Sequence, residues 1–261
     1  MDAVDLFGLL IPVTFFVMLA AEARWPARAF PPRRGWRWLG IGFLFLLAAA
    51  SSFVPLLLPT PWMTTHRLID GSDLGIGAGI VVGWIVLSFC NYLWHRNVHR
   101  VDWLWRGFHQ MHHSADRVDI AGSAIFHPLE MVVFVTISTT VTTLILGLQP
   151  VAAAAVGYVA AFYSIFQHWN VRTPVWLGYW IQRPESHCLH HERGVQNFNY
   201  ADFPLWDLLF GTFRNLPDWQ GDAGFGEPAS RQYGAMLVWR DVNLGQYGSA
   251  SRGVAPHGPP A

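Results

Sequence analysis

Five stretches of this 261-residue chain carry no acidic or basic side chain and are dense in apolar ones: residues 6–21, 39–59, 74–94, 131–149 and 151–167. Crossing the hydrocarbon core of a bilayer as a helix takes about 20 apolar residues. A helix also satisfies its own backbone where no water can do so. The first stretch is slightly short, and the second and third are long enough. The last two form a pair broken at Gln149-Pro150. Proline lacks a backbone N–H, so the break suits the tip of a helical hairpin. The halves of that hairpin are only just long enough to cross, which leaves a re-entrant loop as the alternative. Both of its ends emerge on one side in either case. Charged residues make up 13% of the chain, against about 25% in soluble domains. The expected fold is therefore an all-α, polytopic membrane helical bundle.

The arginines give a direction. Arg24, Arg28, Arg33, Arg34 and Arg37 crowd the first connection, and basic loops stay in the cytoplasm. Followed from there, the path puts Arg96, Arg100, Arg106, Arg117, Arg172, Arg183 and Arg193 inside and leaves Arg67 outside. An integral protein of a bacterial inner membrane is the expectation. Asp2 and Asp5 precede the first apolar run and arginines follow it, which argues for a retained anchor over a cleaved signal peptide. No concentrated basic face points to nucleic acid. Cys90 and Cys188 are too few for a disulfide framework and are expected reduced on the cytoplasmic side.

Ten of the 12 histidines fall between residues 95 and 191. They are His95 and His99, then His109, His112 and His113, then His127, His168, and finally His187, His190 and His191. In the topology above all ten lie at or just beyond one set of helix ends, so a cytoplasmic histidine-rich cap is expected there. Positions i and i+3 or i+4 share a helix face, so His95 with His99, or His109 with His113, can grip one ion. Adjacent residues diverge by about 100°. Each doublet, His112-His113 and His190-His191, therefore suits two ions side by side. His66 and His257 read as ordinary histidines.

Imidazole suits Zn, Cu, Fe and Ni alike. The HExxH pattern of zinc proteases is missing, and so are the Glu-x-x-His sets of soluble di-iron bundles. A non-redox di-zinc hydrolase and a metal carrier remain as alternatives, although a carrier would place polar groups through the bilayer depth. Asp116, Asp119, Glu185, Glu192 and Asp202 are the acids available to orient rings. The aromatics Trp94, Trp103, Trp105, Phe108, Trp169, Trp176 and Trp180 suit a membrane interface or a substrate channel.

The spacing HxxxH (His95–His99), HxxHH (His109–His113) and a late HxxHH (His187–His191) resembles the fatty acid hydroxylase/sterol desaturase superfamily. His127-Pro128-Leu129-Glu130 is similar to an HP segment of its sterol-acting branches. His168 resembles a further family histidine. Asn199-Tyr200 and Trp206 to Thr212 resemble its closing NY…WDxxFGT segment. The resemblance covers residues 91–212, close to half the chain. It implies a centre of two Fe ions, with Zn able to replace them on purification, held by the ten histidines above. It further implies O2-dependent attack on an unactivated C–H bond of a membrane lipid, either a fatty acyl chain, a sterol-like lipid or an ether lipid. Hydroxylation is the expected outcome, with desaturation on the same site as the alternative. No haem, flavin or iron–sulfur motif is evident, so electrons are expected from a ferredoxin- or cytochrome-type donor with its reductase. Some relatives carry a second histidine four residues from the one matching His168, where this chain has Ser164 and Arg172. Asn170 or a water is the candidate to complete that corner. The expected organisation is a membrane hydroxylase-type domain over residues 1–218, with its histidine core at 91–212. A tail over 219–261 follows, with its last fifteen or so residues disordered.

Overall fold

The computed structural model describes residues 2–243, and these residues are helical with no strand ladder, only one isolated bridge between Glu192 and Ala223. Five helices are long and apolar enough to span a membrane: Ala3–Arg24, Trp36–Leu57, Gly71–Val98, Pro128–Ile145 and Pro150–Gln167. The ends of these helices follow from local chemistry. The first is longer than its uncharged run because Asp2 and Asp5 form a capping box, each carboxylate accepting the other residue's backbone N–H, which satisfies free amide donors at the helix start. Pro128 and Pro150 open the fourth and fifth spans at positions where a missing N–H costs nothing.

The spans pack in neighbouring pairs. The fifth lies against the first and the third, and the fourth lies against the second and the third. Leu87, Val141, Leu146 and Val156 close the core among the third, fourth and fifth spans. Outward faces stay apolar and uncovered, as at Val17, Phe45, Phe53 and Leu57, which is the surface a lipid solvent requires.

The connections fix which ends share a level. At one end, Leu68 N–H donates to Leu144 O (2.7 Å), Gly71 N–H to Leu146 O (2.8 Å), and the Gln149 amide to Ser72 O (2.7 Å). The hairpin tip therefore reaches the start of the third span at the far end of the bundle. Its two helices run the length of the bundle. At the other end, Ala27 N–H donates to Asn170 O (2.9 Å), and the Trp36 indole donates to Asp119 Oδ1 (2.8 Å). The end of the first span, the start of the second, and the ends of the third and fifth meet there. Gly40 lets the second span press against the backbone of Ala121, where any Cβ would collide with the Ala121 carbonyl.

Over this second end lies a cap of short helices and loops. Trp36, Met111, Ile120, Ile125 and Met236 are its buried core with Phe15, Met18 and Leu19 of the first span. Arg183, fully buried, ties it together by donating to Thr173, Asn215 Oδ1 and Leu216 O and pairing with Glu185. Residues 219–243, expected as tail, pack onto the cap. Trp219, Phe225 and Met236 are buried, Gly224 N–H donates to His191 O (3.1 Å), and Phe225 N–H donates to Ser114 O (3.3 Å). The expected disorder of the last fifteen residues, and His257, lie outside the described residues.

Candidate metal centre

The cap gathers nine of the ten histidines singled out above into two groups. The first holds His95, His99, His109, His113 and His190, and the second holds His112, His168, His187 and His191. Within each group the prospective ligand atoms lie within 4.8 Å of one another. Each doublet is split between groups. His113 and His190 face one way while His112 and His191 face the other, as the roughly 100° step between neighbours on a helix demands. The stacked rings of His113 and His191 (4.1 Å between centroids) join the groups side by side.

Local structure explains how the rings reach their places. His95 is carried on the third span and His99 caps its end. Trp105–His109 is a turn of π-helix that runs into the short helix Gln110–His113, and such turns recur at functional sites because they re-aim side chains. His168 caps the end of the fifth span. His187 and His190 ride on the helix Pro184–His190, which His191 caps.

Hydrogen bonds set the tautomers. Nδ1–H of His95 donates to Tyr200 O (2.6 Å), that of His190 to Phe198 O (2.7 Å) and that of His109 to Glu130 Oε1 (2.8 Å). Nδ1–H of His112 donates to Ile125 O (3.2 Å), and that of His168 to Ser164 O (2.8 Å). With the proton on Nδ1, each Nε2 presents a lone pair, the form in which histidine binds metal. In the first group all five Nε2 atoms are buried without a hydrogen-bond partner. In the second, the Nε2 atoms of His112 and His168 are 3.2 Å apart. Both are acceptors there, so they face each other lone pair to lone pair. Such an arrangement is costly unless a cation sits between or beside them. The residues present thus fit two metal ions, one per group.

Burial drives the electrostatics. It pushes the His109 imidazole down to about 3 and His168 to about 4, and it holds His99, His112, His113, His187, His190 and His191 well below the ordinary histidine range. Neighbouring rings push the latter six further in the same direction. Neutral rings are what coordination needs.

His127 is not brought to either group. It caps the fourth span, its Nδ1 accepting Leu129 N–H (3.2 Å) and its Nε2–H reaching Leu237 O (3.4 Å). Asn170 does not complete a corner either. Its amide donates to Arg28 O and accepts Arg28 N–H, pinning the loop after the first span. The five acids weighed as ring orienters also act elsewhere. Asp116 accepts Gly226 N–H, Asp119 caps the Ile120–Ser123 helix, Glu185 holds Thr173, Glu192 holds the Trp219 indole, and Asp202 accepts from Gln167. The acid that does meet a ring is Glu130, fully buried between His109 and the Trp94 indole (3.2 Å). Its position three residues after His127 in the HPLE segment was the available signal. Cys188 packs with Val118, Trp219 and Ala223 away from the rings, and burial pushes its thiol up to about 12. Cys90 and Cys188 are both free. His66 stacks on Trp62 in the connection between the second and third spans. Of the aromatics, Trp105 packs on His99 and His113 (5.1 and 5.3 Å), while Trp103, Trp176 and Trp180 are exposed.

Fold and site together define a polytopic membrane bundle with a paired histidine metal site at one end. The profile of the fatty acid hydroxylase family matches residues 80–212, half of the chain, and the protein belongs to that family. It is 28% identical over 67% of its length to an ornithine lipid hydroxylase, OlsE, of Rhizobium tropici, covering 55% of that protein. It is 24% identical over 51% of its length to a very-long-chain aldehyde decarbonylase, GL1-9, of Oryza sativa subsp. indica, covering 53% of it. With sphinganine C4-monooxygenase 1 of Arabidopsis thaliana the identity is 25% over 54% of the chain and 56% of the relative. The chain thus spans about half the length of the curated relatives it matches. No solved structure matches it.

Proposed function

We propose that this protein is an O2-dependent oxidoreductase that hydroxylates an unactivated C–H bond of a membrane lipid at a centre of two irons. The observation that carries the reading is the pair of buried histidine groups with facing lone pairs at the end of five apolar spans. The ligand set is His95, His99, His109, His113 and His190 for one ion and His112, His168, His187 and His191 for the other. The family and the relatives named for lipid hydroxylation support the substrate class.

Two irons bound here would supply the reduction of O2 and the cleavage of the C–H bond, with two electrons and two protons entering from outside the chain. The chain's own residues do the rest. Glu130 and the carbonyls of Ile125, Ser164, Phe198 and Tyr200 lock the rings. Trp105, Phe126 and Tyr200 pack on the rings and help keep water away. The site lies at the level where the spans end, so a lipid chain reaches it without leaving an apolar environment. Supply of electrons falls to a ferredoxin- or cytochrome-type donor with its reductase. The histidine end is assigned to the cytoplasm by the arginines of the first connection, in a bacterial inner membrane. Residues 1–218, with the histidine core at 91–212, are taken as the membrane hydroxylase-type domain, onto which residues 219–243 pack.

Lipid mass spectrometry of cells with and without the protein tests the reading. A lipid heavier by one oxygen supports hydroxylation, and loss of two hydrogens would redirect it to desaturation. No lipid change, with protein in the membrane and iron bound, would overturn it. Metal analysis of the purified protein should return two irons per chain, whereas two zincs with O2-independent hydrolysis would favour the non-redox alternative.

A further inference from the structure

The cap carries a cleft of about 650 Å³ that none of the grouped histidines lines. Its walls come from the loop after the first span, from residues just past His113, His168 and His191, and from residues 218–231. Six arginines line it, Arg28, Arg33, Arg117, Arg172, Arg193 and Arg231, against four carboxylates, an excess of two positive charges.

Four of those arginines are already engaged: Arg33 donates to Ser230 O and lies over the Trp36 and Tyr233 rings. Arg117 pairs with Asp119 and donates to Pro31 O, Arg231 pairs with Glu227, and Arg193 donates to Gly224 O beside Asp116. Arg28 and Arg172 are different. The backbone of Arg28 is clamped by Asn170 on both its N–H and its carbonyl (2.9 and 2.8 Å). Its guanidinium is largely buried. Nη1 donates to Val171 O (3.4 Å), and Glu185 and Asp218 pair with Nη2 at 3.5 and 3.6 Å while also accepting from Thr173, Arg183, Trp219 and Gln220, which leaves Nε and Nη2 without a hydrogen-bond acceptor. Arg172 is exposed and, among the described residues, has no hydrogen bond or ion pair.

Buried guanidinium donors left without acceptors are costly, and a planar fork of N–H groups matches the oxygens of a phosphate. A volume of this size exceeds a bare oxyanion and admits the polar head of a small molecule. We infer that the cleft is a binding site for a phosphate group, gripped by Arg28 and Arg172. The phosphate is that of an anionic lipid headgroup or of a free small molecule. The loop that carries Arg28 joins two spans, which brings a lipid headgroup into consideration as the source.

The test uses the full chain in phosphatidylcholine nanodiscs, titrated with inorganic phosphate by calorimetry. A parallel sample holds phosphatidylglycerol, and native mass spectrometry counts the lipid retained. Saturable phosphate binding in phosphatidylcholine discs supports the site with a free ligand. Retention of phosphatidylglycerol, with loss of phosphate binding in those discs, supports the headgroup. Arg28→Gln and Arg172→Gln should each weaken the bound probe about tenfold, as loss of a charge-assisted hydrogen bond does, with metal content unchanged. Arg172 lies on an exposed turn, so its variant reports even if Arg28→Gln fails to fold. Binding of neither probe to the wild type, or binding by Arg172→Gln equal to wild type, overturns the proposal.

Discussion

The two histidine groups are built from the same motifs and supported differently. The five-ring group is locked from three sides: His95 and His190 by carbonyls of the segment Phe198–Tyr200, and His109 by the Glu130 carboxylate. In the four-ring group the two locked rings are held by nearby carbonyls, His112 by Ile125 and His168 by Ser164. One carboxyl side chain therefore hydrogen-bonds a ring of the first group, and none hydrogen-bonds a ring of the second. A hydrogen-bonded side chain behind a ligand fixes its orientation and tunes the metal it holds, so two ions bound here would have unequal support.

Substitutions at the split doublets should have the largest effect. His112→Ala removes a ring from the four-ring group and His190→Ala one from the five-ring group. Each should abolish lipid oxidation while membrane insertion persists, as read by lipid mass spectrometry beside metal analysis. If the groups act independently, His112→Ala should weaken only the ion of the four-ring group and leave that of the five-ring group bound. Full activity in either variant would remove these rings from the ligand set. Next in size is Glu130→Gln, expected to lower activity or metal affinity about 10- to 100-fold, the usual range for a ligand-orienting partner. The loss should fall on the five-ring ion, visible as unequal metal release during chelator titration. Equal release of both ions would erase the asymmetry.

Acid should act on both groups. His109 and His168 are held to about 3 and about 4 in the folded protein, against about 6.5 for a free histidine. The unfolded chain therefore binds more protons below about pH 6.5, and stability falls as pH drops through that window. It is fully present above it. Thermal melts of metal-free protein between pH 8 and pH 4 should show a falling midpoint, and a flat profile would contradict the burial of neutral rings. The smallest effect belongs to His127→Ala, a capping loss of about 1 kcal/mol or less with metal content unchanged. A lost ion in that variant would return His127 to the centre.

The spans were readable because lipid imposes long uncharged runs, and the histidine pairing was readable because helical rotation separates neighbours by a fixed angle. Less was legible where function rests on backbone atoms. Nothing in the letters at Ile125, Ser164, Phe198 or Tyr200 announces a carbonyl aimed at a ring. Glu130 sits in the first turn of a span, where an acid reads as a helix-end charge. Asn170, by contrast, looked like a spare ligand from its neighbours in sequence, yet the loop it clamps comes from residues 27 and 28. Trp219 to Asn243 resembled a tail by its Gly and Pro content, and its buried Phe225 and Met236 emerge only when the cap is assembled.

Each metal pocket borrows one ring from the His190-His191 doublet. During translation, both pockets therefore remain incomplete until that doublet has left the ribosome, after every membrane crossing has been synthesised. A nascent chain stalled before Pro184 would hold four rings of one group and two of the other.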